Sequence, residues 1–301
     1  MRNFLFNLVI FLLPFFGLQA QSSSQQWVVS TAQGSELFAQ SWATRTAFPQ
    51  DFINEQWKAG KYITALDYGG GLWGAVLSKG TPYSRQTWAT RQSFPSDLIK
   101  EKWEDNYNIT EAAFGQSAWA LVFTQTPVIQ SQTYKLSSVF PAEFIEEQWE
   151  KGYYIGSLTY GQGQWLAVLS KGNSQKKQSY IKSRKFPKEW IEEKLKQDFE
   201  VTETAFGDGY WAVVVTQLGQ YNCSVISNNA FPKNEIALAW AKEKAITSVT
   251  FGYLPGEHLL IKADEPEAIT VSNQPGPSKP NINPSKPSLH LICAMDTKDR
   301  V

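Results

Sequence analysis

The chain has 301 residues, with 28 Lys+Arg against 28 Asp+Glu, so its formal net charge is zero. That balance excludes a nucleic-acid binder that works by neutralising phosphates, which needs a basic excess. Twelve Trp, 12 Tyr and 18 Phe can fill a large core, whereas two Cys, two His and two Met leave little for metal or thiol chemistry, so no cofactor is expected.

Met1 and Arg2 make a short basic start, an apolar run from Phe4 to Leu18 carries Pro14, and Leu18-Gln19-Ala20 precedes a polar Gln/Ser stretch. This reads as a secretory signal over residues 1–20, cleaved after Ala20. The apolar run is too short and too broken for a membrane-spanning helix, which needs about 20 apolar residues. The expected location is therefore periplasmic or extracellular, with no transmembrane anchor after signal removal.

From there the chain is periodic. Phe-Pro occurs at Phe48, Phe94, Phe140, Phe186 and Phe231, at intervals of 46, 46, 46 and 45. Five residues after each Phe stands Ile53, Ile99, Ile145, Ile191 or Ile236; nine after stands Trp57, Trp103, Trp149, Leu195 or Trp240. An aromatic residue always follows at the twentieth place and a glycine at the next (Gly69, Gly115, Gly161, Gly207, Gly252), then Trp73, Trp119, Trp165 and Trp211 in four units. Trp27 fits the same spacing one period earlier.

Proline has no amide donor and fixes φ, so it suits the first turn of a helix. Phe52, Ile53 and Trp57 then share one face at helical spacing, and the acidic pairs Glu146-Glu147 and Glu192-Glu193 fall on the solvated face. Strands follow over 62–68, 73–78 and 83–91, with a positive-φ turn as the simplest reason for Gly69 and Gly69-Gly70-Gly71 as a hairpin. The unit reads β-β-β-α, giving four meanders at 62–91, 108–137, 154–183 and 200–227.

One such unit cannot bury its own aromatics, so units must stack. The expected repeat core is Ile53, Trp57, Trp73, Ile99, Trp103, Trp119, Ile145, Trp149, Trp165, Ile191, Trp211 and Trp240. The fold class is mainly β with short helices, and the first choice is a five-bladed β-propeller-like ring. In it the N-terminal strands near 27–33 and 36–45 join Ile246–Phe251 in one sheet. A six-fold ring and an open solenoid array are the alternatives, because a surplus strand reads over Leu259–Lys262 and because units alternate. Lys79 and Lys171 recur at a spacing of 92, as do Glu111 and Glu203. Those four make a candidate binding rim, with ion pairing between units as the alternative.

Composition changes after Ala263. The repeat domain, 21–263, gives way to a Pro-rich linker over 264–288 and then to Leu289–Val301, which reads as the truncated start of a further domain. Cys223 and Cys293 leave a disulfide open, with two separate thiols as the duller choice.

The motif Phe-Pro-x-x-(Phe/Leu)-Ile-x-x-x-Trp, with Gly152–Ile155 and Tyr160–Lys171, resembles a repeat family catalogued as a domain of unknown function. Similar repeats form the C-terminal, non-kinase region of plant casein-kinase-I-like proteins and occur in exported bacterial proteins. The likeness spans roughly residues 25–263; the fifth unit departs from it at Tyr253–Gly256. The tail, with Leu289–Ile292 and Asp296–Asp299, resembles the opening strand of a caspase-like peptidase domain. The first resemblance implies no catalytic residue.

His258 and His290 have no evident partner, and neither metal-ligand spacing nor a phosphate-binding loop occurs in the sequence. The expected function is thus an exported, non-catalytic repeat module that binds a protein or glycan, or scaffolds a neighbouring domain. The alternatives are the regulatory N-terminal part of a caspase-like peptidase, or a hydrolase with its site on non-repeated loops.

Overall fold

A computed structural model describes residues 24–172, 177–217, 222–254 and 268–272. The expected signal segment 1–20, the expected surplus strand at 259–262, Cys293 and the tail from 289 lie outside the described residues.

The first strand, β1 (Ser24–Gln33), is followed by four copies of one order: strand, helix, strand, strand. These are β2 (Phe38–Arg45), α1 (Gln50–Lys58), β3 (Tyr62–Gly69), β4 (Leu72–Lys79); then β5 (Arg85–Arg91), α2 (Ser96–Glu104), β6 (Asn108–Gly115), β7 (Ala118–Gln125). Next come β8 (Ile129–Ser137), α3 (Ala142–Glu150), β9 (Tyr154–Gly161), β10 (Gln164–Gly172) and β11 (Lys177–Ser183), α4 (Lys188–Leu195), β12 (Phe199–Gly207), β13 (Tyr210–Gln217). The chain continues through β14 (Ser224–Asn228), α5 (Lys233–Trp240), β15 (Lys244–Leu254) and β16 (Ala268–Ser272).

Five antiparallel sheets result, with orders β2-β4-β3, β5-β7-β6, β8-β10-β9, β12-β13-β11-β16 and β14-β1-β15. The tryptophan strand is the middle one in each. It is buried along nearly its whole length, as in Trp73–Ser78, so it needs a partner on both edges. The strand before Phe-Pro, such as β5, is half-buried and takes the outer edge in four of the sheets; in the other, β11 is largely buried and β16 lies beyond it. The helix then carries the chain to the inner edge of the same sheet.

This corrects the expected grouping. The predicted meander 62–91 is split, because Arg85–Arg91 pairs with β7 of the next sheet. The same holds at the N-terminus: β1 joins β14 and β15, but Phe38–Arg45 belongs to the first sheet with β4. The period of 46 is identical for either grouping, so spacing alone could not choose. Within the predicted linker 264–288, Ala268–Ser272 is also not free chain but a fourth strand on β11.

Each helix starts at its Phe-Pro proline, which is the N-cap in all five rather than a first-turn residue. The Pro49 carbonyl accepts from Ile53 N at 3.0 Å, and the missing proline N–H leaves no donor orphaned there. The isoleucine from each helix seals its sheet: Ile53, Ile99, Ile145 and Ile236 are fully buried.

The core lies between sheets. Trp73 packs with Ala113, Ala120 and Val122 of the second sheet, and Trp119 with Leu166 and Val168 of the third. Trp165 meets Ala205, Ala212 and Val214 of the fourth; in the fifth, Trp27 and Phe251 meet Ala65 and Val76 of the first. The inner strands follow the same order, with β3 beside β6, β6 beside β9, β9 beside β12, β12 beside β15, and β15 beside β3.

The repeated glycine has a different cause from the one expected. Gly69, Gly115, Gly161, Gly207 and Gly252 are not among the positive-φ residues. Each instead receives an aromatic ring from the adjacent sheet: a Cβ on Gly115 would fall 2.3 Å from Tyr68 Cγ, and one on Gly161 2.4 Å from Phe114 Cγ. Tyr160 meets Gly207, Phe206 meets Gly252, and Phe251 meets Gly69. Close approach, not turn geometry, requires glycine there.

Candidate functional site

The inner strands share one irregularity. Each slips register against its middle strand by one residue, at Thr64, Thr110, Gly156, Thr202 and Thr247. A bulge of this kind re-aims the side chains beside it. Three of the bulged threonines are tied back to the middle strand, Thr64 to Ser78 and Thr110 to Thr124 at 2.7 Å and Thr202 to Thr216 at 2.8 Å. The residues that follow are Ala65, Glu111, Ser157, Glu203 and Ser248.

Residues from all five inner strands line one cavity of about 110 Å³. Its carboxylates are Asp67, Glu111 and Glu203, and Thr159, Thr204, Ser248 and Thr250 add hydroxyls. Asp67 Oδ2 accepts from Phe251 N at 2.7 Å, which ties β3 to β15. Glu203 Oε1 accepts from Thr204 N at 3.2 Å. The Thr204 and Thr250 hydroxyls are hydrogen-bonded across β12 and β15, and Thr250 Oγ1 also donates to Thr204 O at 2.8 Å. Ser248 is 6% exposed, and its Oγ has no hydrogen-bond partner.

Burial governs the electrostatics. It pushes the Asp67 carboxyl up to about 7, against the pull of amides from Phe251 and Tyr68. Glu111 is raised well above the ordinary carboxylate range by burial and then by the charges of Glu203 and Asp67; the Leu66 amide acts against this. Glu203 is raised in the same way by burial, with the Thr204 amide opposing and the Asp67 charge adding. The Tyr83 hydroxyl is pushed up by burial and by the Glu111 charge. Among the described residues, no group of three or more His, Cys, Asp or Glu side chains is placed to hold a metal ion.

The four residues of the predicted rim therefore separate. Glu111 and Glu203 face the cavity, whereas Lys79 and Lys171 lie outside its lining. Lys171 Nζ donates to the carbonyl of Lys151, the C-cap of α3, at 3.0 Å. Gln125 and Gln217 occupy the same repeat position and donate to Asp105 O and Gln197 O. At this position Lys171 thus supplies to its helix C-terminus the donor that Gln125 and Gln217 supply to theirs. Expected ion pairing between Lys79 or Lys171 and Glu111 or Glu203 does not occur among the salt bridges of the described residues.

The predicted core residues sit as follows. Trp73, Trp119, Trp165 and Trp211 are buried, as are Trp149 and Ile191, while Trp57, Trp103 and Trp240 are partly buried against the sheets. Sequence reasoning missed their partners. Trp57, Trp103, Trp149 and Trp240 donate Nε1 to Gln86, Gln132, Gln178 and Gln40 at 3.0–3.1 Å. Each glutamine also accepts from a backbone amide, Ile63, Ile109, Ile155 or Ile246, on an inner strand. Their numbers step by 46, a signal present in the sequence. Where the helix carries Leu195 instead of Trp, the next member of that series is Ser224.

Asp67 was missed because it has no counterpart at its repeat position in other units, where Ala113, Thr159, Ala205 and Thr250 stand. Away from the cavity, burial raises Glu200 to about 7 beside the Cys223 thiol, which opposes the shift. The second cysteine of the possible Cys223–Cys293 pair lies outside the described residues, and Glu147, Glu192 and Glu193 are exposed.

Fold and cavity together define a β-rich repeat protein whose polar groups converge where its inner strands meet. The chain belongs to the family described as Domain of unknown function (DUF7477), which matches residues 15–118 and 112–253. No curated protein matches it. None of the described helices is long and apolar enough to cross a membrane.

Proposed function

We propose that this chain is an exported, non-catalytic module that binds a protein or glycan partner on one face of a five-bladed, propeller-like ring. The observation that carries the reading is the contact from last sheet to first. It repeats the contacts between successive sheets: Phe251 on Gly69, Trp240 on Gln40 and β15 beside β3 use the residue types that join units one and two. A ring built this way is rigid, and rigid platforms bind without a large ordering cost. The repeated tryptophans are committed to the core, so the face around the cavity mouth replaces the four-residue rim as the binding surface.

Export supports an envelope or extracellular partner, and the likeness to casein-kinase-I-like C-terminal regions and exported bacterial repeats supports a non-catalytic role. The test uses the full-length chain expressed with its own N-terminus. Mass spectrometry of the exported form should show cleavage after Ala20. The purified protein is then titrated against an oligosaccharide panel and a panel of envelope proteins. Saturable binding without turnover supports the proposal. Turnover of any panel member, or no binding in either panel, sinks it.

A further inference from the structure

We infer that the groove where the fifth sheet meets the first is a socket for a tyrosine side chain of a partner protein. The groove has a volume of about 510 Å³; Leu37, Phe38, Ala39, Trp240 and Ala245 form its apolar walls, with Glu243 and Lys244 beside them. It has no lining residue in common with the central cavity, so it is a second site and does not rest on the face proposed above.

Other joints show what belongs in this space. Each lining residue has a counterpart between the first and second sheets, where Tyr62 stands in place of Ala245, Tyr83 in place of Leu37 and Ser84 in place of Phe38. Tyr62 fills the space there: its ring meets Tyr83 edge-on at 6.0 Å, and its hydroxyl donates to Ser84 O at 3.1 Å. Between the fourth and fifth sheets Glu200 holds the same position and accepts from the Cys223 thiol. Ala245 ends at its Cβ, so no side chain crosses from this position to Leu37 and Phe38. The entry of β2 differs accordingly. β5 pairs with β7 from Arg85 onward without a slip, whereas β2 slips between Phe38 and Ser41, Ala39 sits at φ +48° and Phe38 is 59% exposed. Backbone strain beside an exposed large apolar side chain is the pattern of a site that a ligand completes.

The neighbouring groups decide the ligand. A sugar needs several hydrogen-bonding groups around an aromatic face, and those of the groove are engaged. Gln40 donates to Ser78 and Ile246 O and accepts from Trp240 and the Ile246 amide. Ser35 Oγ accepts from the Leu37 amide, and Lys244 Nζ donates to Asn222 and Ser224. What is left is apolar wall, which suits a phenol ring as the matching space suits Tyr62. Residues 255–301 contain no Phe, Tyr or Trp, so that part of the chain cannot supply the ring. A second copy would have to offer Tyr253, whose ring is already held against Phe206 at 5.8 Å and Phe251 at 5.3 Å. The ring therefore comes from another protein, as aromatic anchors in interface pockets commonly do.

The experiment titrates acetyl-Gly-Ser-Tyr-Ser-Gly-amide into the purified full-length chain, followed by the Trp240 indole N–H signal in NMR, beside the same peptide with Ala at its centre. One-to-one binding with a Kd of about 1 mM is expected for a single anchor of this size, weakened by roughly tenfold or more in the Ala peptide. Ala245→Tyr puts into the groove the side chain that Tyr62 puts into its own, so it should weaken the tyrosine peptide by roughly tenfold without lowering the thermal midpoint. Phe38→Ser, at an exposed position, should weaken it by roughly fivefold and keeps the test decisive if Ala245→Tyr does not fold. No binding up to about 10 mM, equal affinity for the Ala peptide, or unchanged affinity in the folded variants overturns the inference. So does displacement of the peptide by an oligosaccharide, or a dimer in sedimentation that Ala245→Tyr abolishes, since either gives the groove a different occupant. Failure here while the panel of envelope proteins still binds removes only this socket and leaves the face around the central cavity standing.

Discussion

Gly115 shows how one missing methyl group sets the distance between two sheets. A Cβ there would lie 2.3 Å from Tyr68 Cγ and 2.8 Å from Trp73 Cζ2, both in a packed core that yields little. Gly71 is a contrast: its φ is +79° and nothing lies within 4 Å of the added carbon. Gly115→Ala should cost about 1–3 kcal/mol through overpacking, against about 1 kcal/mol for Gly71→Ala through backbone strain. Urea midpoints decide, and equal losses would refute the close-approach account. Titration belongs to the same scale. Asp67 and Glu200 are raised to about 7, and Glu111 and Glu203 are raised as well. The folded chain thus holds protons that the unfolded chain has already released, so stability falls as pH rises from the ordinary carboxylate range through about 7. The denaturation midpoint should be lower at pH 8 than at pH 5, and Asp67→Asn should reduce the difference, with Glu111, Glu200 and Glu203 carrying the rest. A midpoint that climbs over this interval would contradict the assignment.

Elements are joined by side-chain hydrogen bonds that repeat every 46 residues. A second series supports the middle-strand tryptophans: Trp73 Nε1 donates to Gln116 at 3.0 Å and Trp119 Nε1 to Gln162 at 2.9 Å. The next position in that series is Asp208, and the Trp165 indole N–H is buried without a partner. Gln116, Gln162 and Asp208 share the same left-handed backbone, with φ of 52°, 51° and 50°. Asp208→Gln should therefore reach the indole and stabilise the protein by about 1–2 kcal/mol, measured by chemical denaturation; a neutral or negative change would show that the longer side chain cannot take that geometry. Much of this was legible in the sequence. Phe-Pro, the sealing isoleucine and the tryptophans announce themselves by spacing, and Gln40, Gln86, Gln132 and Gln178 recur in the same way. The assignment of strands to sheets was not legible, because shifting the cut by one strand leaves every interval unchanged.

For the whole molecule, the decisive element is β1, the middle strand between β14 and β15. It brings the start of the described chain to its last sheet, so no sheet in the proposed ring is a free end. An open array frays from its terminal repeats, whereas a ring has none to fray. Unfolding of the full-length chain should be a single transition, coincident by tryptophan fluorescence and far-ultraviolet circular dichroism. Removing Ser24–Gln33 while keeping the residues before it should abolish that transition, because β14 and β15 lose the strand that joins them. Separate transitions in the intact chain, or a deletion variant that still unfolds cooperatively, would count against closure.

The sequence by itself determined the unit: its length, its helix start, its buried isoleucine and tryptophans, and the need for units to stack. Those properties are local or strictly periodic, so they survive in one dimension. Only the tertiary structure decided which strands share a sheet, why the repeated glycine is glycine, and that Glu111 and Glu203 face a cavity with Asp67 while Lys79 and Lys171 do not. The cavity arises where five inner strands meet, and its composition depends on residues that differ from unit to unit. A repeat pattern averages such differences away, and three-dimensional convergence restores them.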